Sequence, residues 1–293
     1  MSTIRLAIVG TSRYLKTTTR TGEVYHEAPT LYLSHAPGAQ GDNALIGKKG
    51  VKRIPDASRP ALLISFVYLK GWLKARGQVA YRDWALDSGA FTAHRSGETI
   101  DLRAYTSAAK ELLATDPTLK EVMALDVIGD AKASRRNADA MMEAGVPGIP
   151  TFHFGSKFDH LLGIARDFPK IALGGCARLR PDSRRGWIRE CFARVWPKKI
   201  HGFGIIDQRT IMAFPFHSVD ASSWELSPMG FGLWKSFGTK HLRWHGSSQN
   251  LRSEIEHYLK LERLVRSRWR RDMELLERVE AGRRQENGRQ HGG

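Results

Sequence analysis

Three aspartates in this chain each follow a short apolar run, and together they could form one site. Asp87 ends Trp-Ala-Leu-Asp, Asp126 ends Met-Ala-Leu-Asp, and Asp220 ends His-Ser-Val-Asp. Carboxylates gathered in one place repel each other, which raises their pKa values unless a bound group separates them. Such a set can supply a nucleophile, a general acid or base, and acceptors for a ligand. A single aspartate after a strand is as often a helix N-cap, so the interpretation depends on all three converging.

Other apolar runs end in an imidazole or in pairs of glycines. His153 ends Pro-Thr-Phe-His, Gly174 and Gly175 follow Ile-Ala-Leu, and Gly202 and Gly204 follow Ile-His. Glycines at such places usually form turns, but they also let a backbone approach a ligand closely. This set has one histidine and no His-x-His or Glu-x-x-His spacing. We therefore predict no metal site and rank a metal-dependent hydrolase below metal-free chemistry.

Eight short apolar runs, separated by helix-like segments, would position these residues. Most of them lack strict alternation, as expected for strands buried on both faces of a parallel sheet. The runs are Ile4–Val9, Leu62–Tyr68, Trp84–Asp87, Val122–Val127, Gly148–Phe152, Ile171–Leu173, Ile200–Phe203 and Phe216–Val219. This alternation favours an α/β fold, a TIM-type (β/α)8 barrel, whose reacting groups stand at the C-terminal ends of its strands.

Helix signals between the runs support the barrel, which we assign to residues 1–225. The predicted helices are Leu102–Ala114, Ala131–Ala144, Lys157–Asp167 and Ser183–Val195. Asp101 would cap the first helix, and Gly145 with Pro147 would end the second. Residues 11–60 form a long Gly- and Pro-containing connection, either an irregular insertion or an N-terminal element, so the first run could lie outside the barrel wall.

The chain changes character after the barrel. Residues 226–281 are predicted to form a basic, aromatic and helical extension in which Leu251–Val279 is one long helix. Its apolar stripe favours packing against the barrel over a dimer zipper, because heptads are not sustained. The stripe comprises Ile255, Leu259, Leu264, Trp269, Met273 and Leu276. Residues 282–293 are expected to be a disordered basic tail.

The charge of the chain predicts a polyanionic partner. Its 293 residues include 46 Lys and Arg against 30 Asp and Glu, a net charge of +16. Such a field attracts phosphates from a distance; the alternative is a basic protein with no nucleic-acid role. Candidate contacts to a nucleic-acid backbone are Lys235, Lys240, Arg243, Arg263, Arg266 and Arg270. The tryptophans between Trp224 and Trp244 could instead belong to the core.

The sequence favours a reducing, cytoplasmic location. Cys176 and Cys191 are too few for a disulfide framework or a four-thiolate zinc site, so we expect both to be reduced and partly buried. No apolar stretch reaches the ~20 residues that span a bilayer, and we predict no membrane partner. The N-terminus is more like a buried strand than a signal peptide.

Several segments resemble one enzyme family. The stretch Asp87–Phe91 (Asp-Ser-Gly-Ala-Phe) resembles the Asp-Ser-Gly-Gly-(Phe/Tyr) motif of tRNA-guanine transglycosylases. Leu-Gly-Gly at 173–175, Gly-Phe-Gly at 202–204 and Val-Asp-Ala-Ser at 219–222 match the order of that family's barrel motifs. The resemblance covers Trp84–Trp224, about half of the chain.

The chain also departs from that family. It lacks the Cys-x-Cys-x-x-Cys…His zinc site, it is shorter, and His153-Phe154-Gly155 stands where the family has Gln-Gly-Gly. A compact, zinc-free, basic version is similar to the 7-deazaguanine DNA transglycosylases, the deoxypurine in DNA protein A family of bacteria and phages. The resemblance thus implies that the protein is located in the cytoplasm of a bacterial or phage-infected host cell.

The resemblance implies roles for the three aspartates. Asp220 would be the nucleophile on C1′ of the target nucleoside, forming a covalent aspartyl-glycosyl intermediate through an oxocarbenium-like transition state. Asp87 would be the general acid and base. Asp126 would accept hydrogen bonds from N1–H and the exocyclic amine of the base.

Further residues would surround the base. Backbone groups at the glycines would approach its far edge, two rings would stack on its faces, and the contact made by His153 in place of glutamine is open. The implied substrate-binding residues are Ser88, Phe91, His153, Gly174, Gly175, His201 and Gly202, with Phe91 and His201 as the stacking pair.

The implied activity is exchange of guanine in DNA for a 7-deazaguanine derivative such as 7-cyano-7-deazaguanine (preQ0). This base would be a co-substrate, and no cofactor is implied. The target base must be flipped out of a duplex or lie in a single strand. The alternatives are the same exchange on tRNA and a non-catalytic nucleic-acid-binding barrel whose aspartates only cap helices.

Overall fold

A computed structural model describes residues 30–35, 59–177, 179–205, 207–221, 233–236, 239–242 and 254–269. Eight parallel strands form one sheet in this part of the chain. They are β1 Thr30–His35, β2 Ala61–Ser65, β3 Trp84–Asp87, β4 Leu119–Val122, β5 Thr151–His153, β6 Lys170–Gly174, β7 Lys199–Gly202 and β8 Ser218–Ala221. Strands that are neighbours in chain order pair with each other, except β4 and β5, and β1 also pairs with β8.

The sheet closes between β4 and β5. Residues just outside these strands, Met123 and Ile149, form a parallel bridge. The amide of Ala124 donates to the Ile149 carbonyl at 2.8 Å, and the amide of Ile149 donates to the Val122 carbonyl at 2.9 Å. With this join the strands run in a complete circle, as in the predicted TIM-type (β/α)8 barrel.

Helices follow the strands along the chain. They are α1 Leu69–Ala75, α2 Ala90–Ser96, α3 Leu102–Thr115, α4 Ala131–Glu143, α5 Phe158–Asp167, α6 Pro181–Val195 and α7 Gln208–Ala213. The four helices predicted within the barrel agree with α3 to α6 to within about two residues. Asp101 caps α3 as predicted, accepting a hydrogen bond from the Ala104 amide at 2.7 Å.

The first barrel strand lies elsewhere than predicted. β1 is Thr30–His35, inside the segment 11–60 that we interpreted as an insertion or N-terminal element, and Ile4–Val9 lies outside the described residues. Thr30–His35 reads Thr-Leu-Tyr-Leu-Ser-His, in which polar residues interrupt the leucines. A search for continuous apolar runs therefore passes over it.

The fourth strand begins earlier than predicted. It spans Leu119–Val122 instead of Val122–Val127. Its start was missed because Lys120 and Glu121 interrupt the apolar run. In the structure Glu121 is only 11% exposed and pairs with Lys170 of β6. A charged residue that is paired inside the barrel looks like a solvent-exposed one in the sequence.

Side chains of the wall alternate between two apolar clusters. Leu62 and Ile64 of β2 pack with the helices, in the same cluster as Trp72 of α1. Ala61 and Leu63 of β2 belong to a second, smaller cluster. Because neighbouring residues of a strand point to opposite faces, the smaller cluster marks the interior of the barrel.

The C-terminal part contains a hairpin and a helix. β9 Leu233–Ser236 and β10 Thr239–Leu242 pair antiparallel. Residues 254–269 form helix α8. As predicted, α8 packs against the barrel: the Trp269 indole donates to the Ile211 carbonyl of α7 at 3.3 Å.

The buried face of α8 differs in one turn from the predicted stripe. Ile255, Leu259 and Trp269 are buried as expected. Leu264 is half-buried, whereas its neighbour Val265 is 2% exposed. Val265 lies seven residues, about two helical turns, after the buried Tyr258, whereas Leu264 lies nine residues after Ile255 and so on the opposite side of the helix. Met273 and Leu276 lie outside the described residues.

Candidate active site

The candidate residues stand at the C-terminal ends of the barrel strands. Asp87 is the last residue of β3, His153 of β5, Gly174 of β6 and Gly202 of β7. Asp220 is the third residue of β8 and is 7% exposed. Because the strands are parallel, these ends meet on one face of the barrel, where active sites of this architecture form.

The three aspartates lie close enough to act on each other. Burial raises the pKa of Asp87 to about 7, and the charges of Asp220 and Asp126 add to the rise. A hydrogen bond from the Gly89 amide, 3.0 Å from Asp87 Oδ2, opposes it without cancelling it. The pKa of Tyr105 is also raised, by burial and then by the charges of Asp87 and Asp126.

The caps of the neighbouring helices are other residues. Gly89 stands at the N-cap of α2, and the side chain of Asp130 caps α4 by accepting from the Ala133 amide at 2.9 Å. Asp207 caps α7 in the same way, with 2.9 Å to the Thr210 amide. The interpretation of Asp87 and Asp126 as mere helix caps therefore does not hold.

One oxygen of the Asp220 carboxylate accepts a backbone hydrogen bond and faces a histidine. The Gly204 amide donates to Oδ1 at 2.7 Å, and His201 Nε2 lies 3.6 Å from the same oxygen. Gly204 has a φ of +65°, and a Cβ added there would lie 3.0 Å from the Ala177 side chain. A glycine is therefore required for the turn that brings this amide to the carboxylate.

Asp126 is paired with His153 on the adjacent strand end. The His153 Nε2 atom lies 2.9 Å from Asp126 Oδ2. The ring packs closely over Gly174, where an added Cβ would lie 3.2 Å from the ring and 2.8 Å from the Thr151 methyl group. A larger residue than glycine at position 174 would therefore displace the histidine from Asp126.

The two residues assigned as the stacking pair have very different surroundings. The Phe91 ring is 55% exposed on α2, with the Arg95 guanidinium 5.9 Å from its centroid. His201 has no exposed surface, and its ring meets Phe203 edge-on with centroids 4.6 Å apart. Phe91 is thus open to a stacking ligand, whereas the His201 ring is enclosed by the barrel.

The remaining substrate-site candidates lie within the same end of the barrel. Ser88 is 4% exposed at the start of α2, where its hydroxyl accepts from the Ala90 amide at 3.4 Å. Gly175 follows β6 with a φ of +73°. A Cβ at Gly202 would lie 2.9 Å from both Ile205 and Phe216, so this glycine is required by packing.

An exposed apolar rim lies on this face, and of its residues only Phe91 was predicted from the sequence to belong to the site. The rim consists of Val67, Tyr68, Phe91, Val127 and Phe154, which are between 38% and 55% exposed. Each follows one of the strands β2 to β5, so they lie side by side around the site. Single apolar residues in loops carry little signal, and their grouping becomes visible only through the strand order.

The predicted nucleic-acid contacts are placed in part. Lys235 and Lys240 are register partners in the β9–β10 hairpin. On α8, Arg263 is exposed and Arg266 pairs with Glu262 at 2.6 Å. The further candidates Arg243 and Arg270 lie outside the described residues.

Other parts of the described chain add two observations on thiols and metals. Cys176 and Cys191 are free, as predicted, but fully buried instead of partly buried, and burial raises the pKa of the Cys176 thiol to about 11. Over the residues described, no group of three or more His, Cys, Asp or Glu side chains is placed to hold a metal ion.

None of the described helices is long and apolar enough to cross a membrane.

Comparisons with known proteins give likenesses of structure alone. No family model and no curated protein matches the chain. A mutant tryptophan synthase α-subunit from Pyrococcus furiosus has a TM-score of 0.46 and 12% identity, covering 80% of this chain and 98% of that one. The carboxyl transferase domain of Rhizobium etli pyruvate carboxylase with pyruvate has a TM-score of 0.44 and 11% identity, covering 87% of this chain and 50% of that one. The chain therefore spans about half the length of the latter.

Proposed function

We propose that this protein is an enzyme that exchanges guanine in DNA for a 7-deazaguanine derivative. The observation that carries the proposal is the grouping of three carboxylates at the end of the barrel, where Asp220 and Asp126 help to raise the pKa of Asp87 to about 7. Base exchange at a sugar carbon needs a carboxylate nucleophile and a second carboxyl group that both gives and takes a proton.

In the first step the Asp220 carboxylate attacks C1′ of the target nucleoside. The bond from C1′ to N9 breaks, and an aspartyl-glycosyl ester forms. The electron pair leaves with guanine, which takes a proton from the Asp87 carboxyl group and departs as the neutral base. Asp220 Oδ1 accepts from the Gly204 amide, so we assign the attack to Oδ2.

In the second step the incoming base reverses this sequence. Its N9–H gives its proton to the Asp87 carboxylate, N9 attacks C1′, and the ester bond to Asp220 breaks. The two steps together consume no proton, electron or cofactor. A pKa of about 7 suits Asp87 for both steps, because a group titrating near neutral pH is an effective acid and an effective base.

The surroundings suit a nucleobase that has left its stack. Asp126 supplies carboxylate oxygens that match the two donors on the Watson–Crick edge of guanine. His153, 2.9 Å from Asp126, holds that carboxylate beside the base pocket. The apolar rim offers Tyr68, Phe91 and Phe154 for stacking, and the +16 charge of the chain favours a polyanionic substrate.

Isotope exchange tests this proposal without knowledge of the natural incoming base. Purified protein is incubated with a single-stranded DNA oligonucleotide and ¹⁵N-labelled guanine, in parallel with 7-cyano-7-deazaguanine. The DNA is then digested and the masses of its deoxynucleosides are measured by mass spectrometry. We expect labelled deoxyguanosine or a new deoxynucleoside with the native chain and neither with Asp220→Ala.

A matched arm with tRNA identifies the polymer. Label in tRNA alone would assign the same chemistry to RNA and overturn the choice of DNA. Label in neither polymer, with DNA binding equal in the native chain and Asp220→Ala, would favour the non-catalytic barrel. Denaturing electrophoresis of the native chain with DNA adds a direct check, because the glycosyl ester joins protein and DNA covalently.

A further inference from the structure

The interior of the barrel contains a chain of buried polar side chains below the candidate site. Glu121 of β4, Lys170 of β6, Ser218 of β8 and His201 of β7 all lie in the wall and are at most about one-tenth exposed. Barrel interiors of this architecture are filled mainly by branched apolar side chains. A continuous chain of polar side chains inside the barrel is therefore unusual.

The lower end of this chain is a fixed pair of charges. The Lys170 ammonium contacts Glu121 Oε1, and His217 Nε2 lies 3.2 Å from the same oxygen. Burial alone would raise the pKa of Glu121, but the Lys170 charge and the His217 hydrogen bond outweigh it and hold the pKa well below its usual range. Glu121 is thus an anion, and Lys170 remains a cation beside it.

The hydrogen bonds in the middle of the chain set the orientation of His201. Lys170 Nζ donates to the Ser218 oxygen at 3.0 Å, so that oxygen acts as an acceptor. The single Ser218 hydrogen has two acceptors within reach, His201 Nδ1 at 2.9 Å and Glu121 Oε2 at 3.3 Å. We place this hydrogen toward Nδ1, the nearer atom, which puts the hydrogen of the ring on Nε2, the atom that faces the Asp220 carboxylate.

The upper end of the chain reaches the proposed nucleophile. His201 Nε2 lies 3.6 Å from Asp220 Oδ1, the oxygen that also accepts from the Gly204 amide. We propose that His201 is a positioning residue, fixed by Ser218, Lys170 and Glu121, whose Nε2–H faces Asp220 from just beyond hydrogen-bond distance and orients that carboxylate electrostatically for attack on the sugar. This inference rests on the proposed transglycosylase function and assigns His201 a role other than stacking on the base.

Two variants of His201 separate positioning from packing. In His201→Gln the amide nitrogen is the same number of bonds from the backbone as Nε2, so a donor toward Asp220 remains. In His201→Asn the polar end reaches only to the place of Nδ1, so the contact to Ser218 remains and the donor toward Asp220 is lost. Both variants keep a neutral polar side chain in the same enclosed place.

We expect kcat for label exchange to fall about 100-fold in His201→Asn, because a misplaced reacting group loses rate of that order. Ser218→Ala should lower kcat in the same direction, and KM for DNA should stay unchanged in both variants. His201→Gln should recover most of kcat although its melting temperature matches that of His201→Asn. Equal kcat in His201→Asn and the native chain would overturn the inference, as would parallel losses of kcat and melting temperature in both variants.

A spectroscopic measurement tests the arrangement apart from catalysis. In ¹⁵N-histidine spectra of the native chain, we expect His201 to carry its hydrogen on Nε2, and we expect Ser218→Ala to remove this fixed tautomer. A hydrogen on Nδ1 in the native chain would overturn the positioning role even if base exchange is observed. Absence of exchange in the native chain on both DNA and tRNA would instead overturn the proposed function, whichever tautomer is found.

Discussion

The three carboxylates of this site differ in how far their charges are compensated by neighbouring groups. Asp87 is half-buried beside two other carboxylates, an arrangement that favours its protonated form and makes its ionisation costly to the folded chain. Asp126 has His153 as a compensating partner, and Asp220 has the Gly204 amide. The Gly89 amide donates to Asp87 as well, but it does not outweigh burial and the neighbouring charges, so Asp87 carries an electrostatic cost.

That cost predicts a pH-dependent gain in stability for Asp87→Asn. The pKa of Asp87 rises from 3.8 to about 7 on folding, so the unfolded chain releases this proton at lower pH than the folded chain. The contribution of Asp87 to stability is therefore lost as the pH rises from about 4 to 7. Denaturant unfolding should show equal stability of the two proteins near pH 4 and a more stable Asn variant at pH 8. A difference that does not change with pH would contradict the raised pKa.

The His153–Asp126 pair predicts a defect in use of the incoming base. His153→Ala leaves the Asp126 carboxylate without this neighbour and removes a polar contact at the base pocket. We expect KM for the incoming base to rise by about 10-fold or more, as for loss of a hydrogen bond to a charged group. Initial rates at saturating DNA measure this. His153→Gln, which keeps a polar side chain beside Asp126, should have the smaller effect, and an unchanged KM in the Ala variant would exclude His153 from the proposed pocket.

At the scale of elements, the sequence predicts helices better than strands. Helices α3 and α4 each begin after an aspartate cap that is visible in the sequence, Asp101 and Asp130. The position of β1 and the start of β4 were predicted wrongly because polar residues interrupt their apolar runs. In β4 the interrupting residue is Glu121, whose buried partner Lys170 lies 49 positions away. A pairing over that distance cannot be seen in a local pattern.

Helix α8 gives a stability prediction at this scale. Trp269 is 3% exposed, and its indole donates to the Ile211 carbonyl of α7. Trp269→Ala should lower the free energy of unfolding by about 3–5 kcal/mol, as for other large buried aromatic residues. Trp269→Phe removes the hydrogen bond but keeps most of the packing, so a loss of only about 1 kcal/mol is expected. A loss below about 1 kcal/mol in the Ala variant would show that α8 does not stabilise the barrel in solution.

At the scale of the whole molecule, the dominant feature is the net charge of +16. The sequence alone supports the barrel class, the face on which the site forms and the three aspartates, because strand ends and apolar runs are local signals. It does not reveal the buried state of His201 or the apolar rim around the site. Both depend on which strands are neighbours, and that information exists only in the closed sheet.

The charge predicts a strong effect of salt on one substrate only. Binding of a polyanion releases counterions, so KM for the DNA oligonucleotide should rise steeply with salt, by about 10-fold or more between 50 and 200 mM. KM for the uncharged incoming base should change little over the same range. Steady-state rates with each substrate varied in turn provide the comparison. A KM for DNA that does not depend on salt would argue against backbone contacts by the basic residues.

The join between β4 and β5 has a consequence for ligand binding. A single bridge, Met123 to Ile149, connects these two edges of the described sheet, and the Asp126–His153 contact spans the same gap one layer above it. That contact therefore adds a side-chain link between β4 and β5, where the described sheet has the fewest paired residues. In the proposed function, a base bound to Asp126 beside this contact would add a further link across the same gap, so binding of the base should stiffen this part of the wall.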